Sequence, residues 1–70
     1  MNIAKLKSKM VLHGDTQSKL AEALGMTCPM MSDRMNGKVD FRRSEINAIR
    51  ARYELTDEET MQIFFEEEVS

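Results

Sequence analysis

Few side chains in this sequence are of the types that do covalent chemistry. There is one histidine, His13, and one cysteine, Cys28, among 70 residues. His13 lacks Cys, Asp or Glu neighbours in a metal-binding pattern, so a surface or helix-end histidine is favoured over a metal ligand. No acid and base pair, and no nucleophile with its base, can be assembled from these two residues and the scattered carboxylates. We therefore expect no enzyme activity, no metal and no cofactor.

The charged residues are more informative, because the two signs are separated along the chain. All ten lysines and arginines lie in residues 1–53, where five acidic residues leave a net charge of +5. Residues 54–70 carry seven acidic residues and no basic one. A basic body is compatible with binding DNA through one face, since the local field steers a polyanion more than the net charge does. Ordinary solvated helix surfaces explain the same distribution.

The length of the chain allows one domain with one small core. Seven methionines indicate a core filled by flexible side chains, to which dimerisation would add stability. A single cysteine excludes an internal disulfide. The N-terminus does not resemble a signal peptide and no apolar run reaches membrane-spanning length. We expect a soluble, cytoplasmic protein.

Two short helical patterns, joined by Gly25, lie between Thr16 and Lys38. Each begins with a threonine, Thr16 or Thr27, whose hydroxyl can accept a hydrogen bond from an amide of the first turn. The glycine suits the left-handed conformation that ends many helices. The stretch is therefore predicted to be a helix-turn-helix over about residues 16–36.

Three further helices are predicted by apolar spacing, at about residues 3–12, 44–53 and 57–67. The last is acidic and begins with a capping box formed by Thr56 and Glu59. Its four large apolar residues are too many for one narrow contact. Either all of them cover the core, or Met61 and Phe65 form a dimer surface. The predicted fold class is all-α, a compact five-helix domain over residues 1–70.

The motif also carries a family resemblance. The pattern Thr16-Gln17-x-x-Leu20-Ala21-x-x-Leu24-Gly25-Met26-Thr27, followed by Asn36-Gly37-Lys38, resembles the lambdoid phage repressor and Cro family, also called the xenobiotic-response-element type. The segment 41–65 looks like small phage and prophage regulators of Gram-positive bacteria. The resemblance implies a lambda-repressor-like domain that binds double-stranded operator DNA as a homodimer and regulates transcription, often as a repressor, in the bacterial cytoplasm.

The resemblance also assigns roles to positions, with the second helix of the motif in the major groove. The positions that read bases are Cys28, Pro29, Met30, Ser32 and Asp33. The positions that bind phosphates are Gln17, Arg34, Asn36, Lys38, Arg42 and Arg43. None of the five base-reading residues can make the two-point contact to a purine that Gln, Asn or Arg makes. Sequence readout is therefore expected to be sparse and partly apolar.

Several residues of the motif keep more than one interpretation. Met31 is expected in the core, whereas Met30 lies either in the core or on the outward face. Cys28 is either a redox-sensitive thiol or simply a small residue. In many relatives an arginine and a glutamate form an ion pair at the positions that Met10 and Met35 occupy here. We predict that these two methionines touch, because replacing both charges leaves neither unpaired.

An alternative function follows from the same fold. A protein-interaction module, such as an antitoxin or an antirepressor, would use the acidic end of the last helix to engage a partner. The acidic Asp33 on the predicted base-reading face favours this alternative. Salt dependence separates the two, since DNA binding through several phosphates weakens steeply with added salt.

Overall fold

The computed structural model describes residues 1–65, and in this range it contains five helices and no strand. The helices are α1 (Ile3–Leu12), α2 (Gln17–Ala23), α3 (Cys28–Met35), α4 (Arg43–Tyr53) and α5 (Asp57–Thr60), the last continuing as a π-helical segment, Met61–Phe65. The all-α fold class is confirmed. The predicted end of the last helix, residues 66–67, lies outside the described part. No helix within residues 1–65 is long and apolar enough to cross a membrane.

Side-chain caps start both helices of the motif where the sequence predicts them. The Thr16 hydroxyl accepts from the Lys19 amide at 3.2 Å, and the Thr27 hydroxyl accepts from the Met30 amide at 3.3 Å. Between them, Gly25 adopts a φ of +70°, which a residue with a side chain rarely adopts. Local chemistry therefore sets the length of α2 and the point at which α3 begins.

The start of α5 also follows its sequence, whereas the change to a π-helix from Met61 onward was not predicted. The Thr56 hydroxyl accepts from the Glu59 amide at 3.1 Å, and the Glu59 carboxylate accepts from the Thr56 amide at 3.0 Å, which completes the capping box. The π-helical segment then turns Ile63 fully into the core. Met61 and Phe65 remain 56% and 58% exposed. They do not cover the core, which leaves an apolar surface next to α4.

One core cluster holds the five helices together. Its fully buried side chains are Leu6, Leu20, Met31, Ile49 and Ile63. Met10 and Met35 are also buried, belong to the same cluster and line the same small pocket beside Gln17. This placement agrees with the predicted register of the motif, and contact between the two methionines stays a prediction. Val11 is 77% exposed because Leu6 and Met10 occupy the inward face of α1.

A polar cluster ties the loop between α1 and α2 to the end of α4. The two oxygens of Asp15 accept from the Arg52 guanidinium at 2.6 and 2.8 Å, and Oδ2 also accepts from the Tyr53 hydroxyl at 2.7 Å. The His13 ring lies beside Tyr53, with ring centroids 5.1 Å apart. Burial and the bond to Asp15 raise the pKa of Tyr53 above its usual range. Asp15, for which the sequence indicated no such role, thus joins the loop between α1 and α2 to the end of α4.

The same hydrogen bonds make the fold sensitive to acid. Donation by Arg52, and then by Tyr53, lowers the pKa of Asp15 from 3.8 to about 2. Pairing with Lys9 and donation by the Thr56 amide lower the pKa of Glu59 to about 2 as well. A carboxylate with a lowered pKa stabilises the folded state at neutral pH, and this stabilisation is lost as the pH falls through the range from about 4 to 2.

We predict that Asp15→Asn lowers the free energy of unfolding at pH 7, because the charge-assisted bonds become neutral ones. The difference from the unmodified chain should shrink as the pH falls from about 4 to 2, where Asp15 itself becomes protonated. Urea denaturation at several pH values measures this. Glu22→Gln, at an exposed position on α2, is the control. A difference that stays constant down to pH 2 would argue against the assigned role of Asp15.

Candidate functional site

The helix-turn-helix presents the N-terminal halves of its two helices at one surface. Leu20 and Ala21 of α2 and Met31 of α3 are buried between the helices and the rest of the core. On the outer side, the Ser18 hydroxyl lies 3.7 Å from the Cys28 thiol. Ser18 is the second residue of α2 and Cys28 is the first of α3. The first turns of the two helices therefore lie side by side.

The five predicted base-reading residues occupy this surface to different extents. Cys28, Pro29 and Met30 are exposed, and Met30 is 42% exposed, which favours its interpretation as a surface residue. Ser32 and Asp33, one turn further along α3, are half-buried. The face offers a thiol, a proline ring, a thioether, a hydroxyl and a carboxylate. It can make apolar contacts and single hydrogen bonds, but no two-point contact to a purine edge.

The end of α3 holds two of the predicted phosphate-binding residues. The side-chain amide of Asn36 donates to the Ser32 hydroxyl at 3.3 Å. This bond links a predicted phosphate-binding residue to a predicted base-reading residue. The backbone amide of Lys38 donates to the Asp33 carbonyl at 2.9 Å and closes the end of the helix. Asn36 and Lys38 are both exposed. Gln17, at the start of α2, is half-buried.

Arg34 departs from its predicted role. Its Nε donates to Glu45 Oε1 at 2.9 Å, and a second guanidinium nitrogen donates to the Met30 carbonyl at 3.4 Å. Only 7% of the Arg34 side chain and 14% of the Glu45 side chain are exposed. The guanidinium is thus bonded within the protein and is not available to a phosphate. Arg34 therefore does not belong to the predicted set of phosphate-binding residues. Its role here is to join α3 to α4.

Glu45 is the residue of this region that sequence reasoning missed. The oxygen that accepts from Arg34 also accepts from the Arg42 amide at 2.8 Å, so the carboxylate caps the start of α4. Two signals were present. Arg34 lies three residues after the inward-facing Met31, on the same side of α3, and Glu45 stands three residues after the N-cap, where a carboxylate reaches back to the N-cap amide.

Ion pairing sorts the basic residues of the chain into two groups. Within residues 1–65 the ion pairs are Lys9–Glu59, Arg34–Glu45, Arg50–Asp57 and Arg52–Asp15. The basic side chains that this range leaves outside ion pairs are Lys5, Lys7, Lys19, Lys38, Arg42 and Arg43. Four of these six belong to α2 or to the segment 38–43 that follows α3. Most basic side chains outside these ion pairs therefore lie in the motif or directly after it.

Arg42 and Arg43 are exposed at the start of α4, but they differ in their surroundings. Arg42 is the N-cap residue, and its backbone amide is held by Glu45. Arg43 lines a groove between α4 and the π-helical segment, which also includes the two dimer candidates Met61 and Phe65. Arg42 is thus the simpler candidate for a phosphate contact, since Arg43 faces a second surface as well.

Comparison with known proteins assigns neither a family nor a function to the chain. No protein-family model matches the sequence, and neither a curated protein nor a solved structure matches the chain. Within the described residues, no group of three or more His, Cys, Asp or Glu side chains is placed to hold a metal ion. Any functional assignment therefore depends on the chemistry of the surface itself.

We predict that Glu45→Ala lowers the free energy of unfolding by about 3 kcal/mol, since it leaves Arg34 charged and almost buried without its partner. The double variant Arg34→Met/Glu45→Leu removes both charges and should recover most of this loss. Urea denaturation measures both. Arg42→Ala, which truncates the exposed neighbour, is the control and should stay within about 0.5 kcal/mol of the unmodified chain. Equal losses in Glu45→Ala and the control would refute the structural role of the pair.

Proposed function

We propose that this chain is a sequence-specific DNA-binding protein that regulates transcription by occupying an operator. The observation that carries the proposal is the distribution of uncommitted positive charge. Lys9 and Arg50 pair with carboxylates of the acidic part of the chain, whereas Lys19 in α2, and Lys38 and Arg42 after the end of α3, take part in no ion pair within residues 1–65. Side chains of this kind bind phosphates on either side of a groove.

In this proposal α3 enters the major groove with its N-terminal half. A helix of this kind fits the groove, and the helix before it crosses the backbone. The half-buried Gln17, at the start of α2, then lies on the phosphate side, together with Lys19. Asn36, Lys38 and the two arginines of α4 follow the backbone at the other end. Phosphate contacts position the protein, whereas the exposed residues of α3 read bases.

The base contacts in this proposal are few. Cys28, Pro29 and Met30 would meet thymine methyl groups, Ser32 would donate or accept one hydrogen bond, and Asp33 would accept from a cytosine amino group. Asp33 also repels nearby phosphates, which limits the affinity. The protein would act as a homodimer on a two-fold symmetric operator, with half-sites about 34 Å apart. The resemblance to phage repressors and Cro proteins supports a phage or prophage repressor that acts in the bacterial cytoplasm.

Selection from a random duplex pool with the purified chain is the most direct test. We expect a palindromic consensus, and binding to it should weaken with salt at a slope of about −4 in log K against log salt per protomer, if four side chains neutralise phosphates. Fluorescence anisotropy measures the slope. No enrichment, or binding that is insensitive to salt, would contradict the proposal. It would favour the protein-interaction module, in which the acidic end of the last helix engages a partner.

We predict that Lys38→Ala and Arg42→Ala weaken binding to all duplexes alike, each reducing the salt slope by about 1. Gln17→Ala should also weaken binding without unfolding the domain. The matched control is Lys5→Ala, which removes one positive charge from α1, outside the motif, where Lys5 donates to Gln62 of the π-helical segment. Losses as large in Lys5→Ala as in the test variants would show that only net charge matters.

We predict that Ser32→Ala and Asp33→Ala change the preferred sequence more than the overall affinity, because these side chains would face bases and not phosphates. Repeating the selection with each variant measures the preference, and circular dichroism confirms the fold. Ala4→Ser, at an exposed position of α1 outside the motif, serves as the control and should leave the consensus unchanged. Unchanged consensus sequences in both test variants would exclude these residues from base reading.

A further inference from the structure

A groove of about 630 Å³ lies between α4 and the π-helical segment. This volume is within the range of small-molecule sites in proteins. Phe41 forms the floor of the groove, since it is 9% exposed and packs edge-on against Phe64. Met61 and Phe65 form one wall, and each is more than half exposed. The groove therefore offers an apolar floor and an apolar wall to a ligand.

The apolar lining continues beyond this groove. A second cavity, of about 340 Å³, shares Phe41, Ile46 and Phe65 with it and is also lined by Phe64. One wall of the groove is a π-helical turn, a geometry that is rare in proteins and frequent at functional sites. The groove thus combines a continuous apolar surface with a backbone geometry that functional sites favour.

The two arginines of the groove differ in their partners. Arg43 begins α4 and takes part in none of the ion pairs within residues 1–65. Arg50 lies about 10 Å further along the helix axis, and it is paired with Asp57. Asn47, one turn after Arg43 on the same side of α4, also lines the groove and can donate from its side-chain amide. Hydrogen-bond donors therefore gather near Arg43, whereas the other end has a neutralised pair.

We propose that this groove is a binding site for a small carboxylate with an apolar chain, the chemistry of a medium-chain fatty acid. The carboxylate accepts two hydrogen bonds from the planar fork of the Arg43 guanidinium. The apolar chain lies over Phe41 and against Met61 and Phe65. Charge complementarity selects an anion, since a neutral ligand leaves the Arg43 charge unmatched and a cation is repelled. Polar groups bound the apolar stretch at both ends, so a short chain fits it better than a long one.

The site also bears on DNA binding, because Arg43 is one of the residues predicted to bind phosphates. This consequence rests on the proposed function, whereas the site itself does not. A carboxylate held by Arg43 takes that guanidinium from a DNA phosphate, so the bound ligand lowers the affinity for DNA. By linkage, bound DNA lowers the affinity for the ligand by the same factor.

Octanoate is the probe that tests the site without DNA. Titration of the full chain with octanoate is followed by the NMR signals of the Met61 methyl group and the Phe65 ring. We expect saturable binding with a dissociation constant of about 0.1–1 mM, in keeping with a ligand of about ten non-hydrogen atoms. Octylamine has the same chain and the opposite charge, and it should bind at least about tenfold more weakly.

Two neighbouring arginines provide a matched pair of variants. Arg43→Gln should weaken octanoate binding about tenfold, because it removes the charge-assisted hydrogen bonds to the carboxylate. Arg42→Gln is the control, since Arg42 is also exposed but does not line the groove, and it should leave the dissociation constant unchanged. Phe65→Ala should weaken binding about three- to tenfold through the lost apolar contact. Circular dichroism checks that each variant is folded.

Several results would overturn the inference. They are the absence of saturable binding up to about 10 mM octanoate, octylamine that binds as tightly as octanoate, and equal weakening in Arg43→Gln and Arg42→Gln. Binding that appears only on dilution of the chain would show that a second copy occupies the groove. Binding that appears only in Glu66→Gln/Glu67→Gln/Glu68→Gln would assign the groove to the acidic residues after Phe65. Either outcome also rejects the proposed ligand.

The effect on DNA is measured separately, as the affinity for a selected duplex at saturating octanoate. We expect the affinity to fall about three- to tenfold, and the fall should disappear in Arg43→Gln. Octanoate that binds and leaves the affinity unchanged refutes the coupling to DNA. A chain that binds octanoate but selects no duplex refutes the proposed function and leaves the site standing.

Discussion

One carboxylate oxygen determines how the surface of α3 is presented. Oε1 of Glu45 accepts from both the Arg34 guanidinium and the Arg42 amide, so it joins the last turn of α3 to the first turn of α4. Arg34 also donates to the Met30 carbonyl, one turn earlier on α3. These bonds fix the rotation of the helix about its own axis as well as its position. The identity of the exposed residues therefore depends on a polar contact beneath them.

Directional bonds of this kind matter more in a domain whose core is rich in methionine. Met10, Met26, Met31 and Met35 are all buried, and such unbranched side chains fill space without fixing a unique geometry. Polar contacts with defined angles supply the unique geometry that methionine side chains do not. Glu45 fixes α3 against the start of α4, and Asp15 fixes the loop before α2 against the end of the same helix. The helix-turn-helix is held at both ends against α4.

The sequence predicted those features that depend on neighbouring residues. Thr16 and Thr27 cap their helices and Gly25 is left-handed, because caps and turns are decided within four residues. The sequence did not predict the partners of Arg34 or Asp15, which lie 11 and 37 residues away. The sequence shows the partner of a charged residue only when that partner lies within about one helical turn. Ion pairs within residues 1–65 occupy some of the basic residues and leave the others outside such pairs. Only the folded structure shows which residues these are.

The inward side of α3 is buried and bonded, whereas the start of the helix is exposed. This difference affects how the sequence of the protein can evolve. Arg34 and Met35 maintain the fold, whereas Cys28, Pro29 and Met30 lie at the surface and take little part in the core. Substitutions at exposed positions of this kind usually change stability by less than about 0.5 kcal/mol. Mutations that alter the surface chemistry of α3 therefore need no prior stabilising change to be tolerated. The exposed surface of α3 is therefore free to diverge faster than the architecture of the domain.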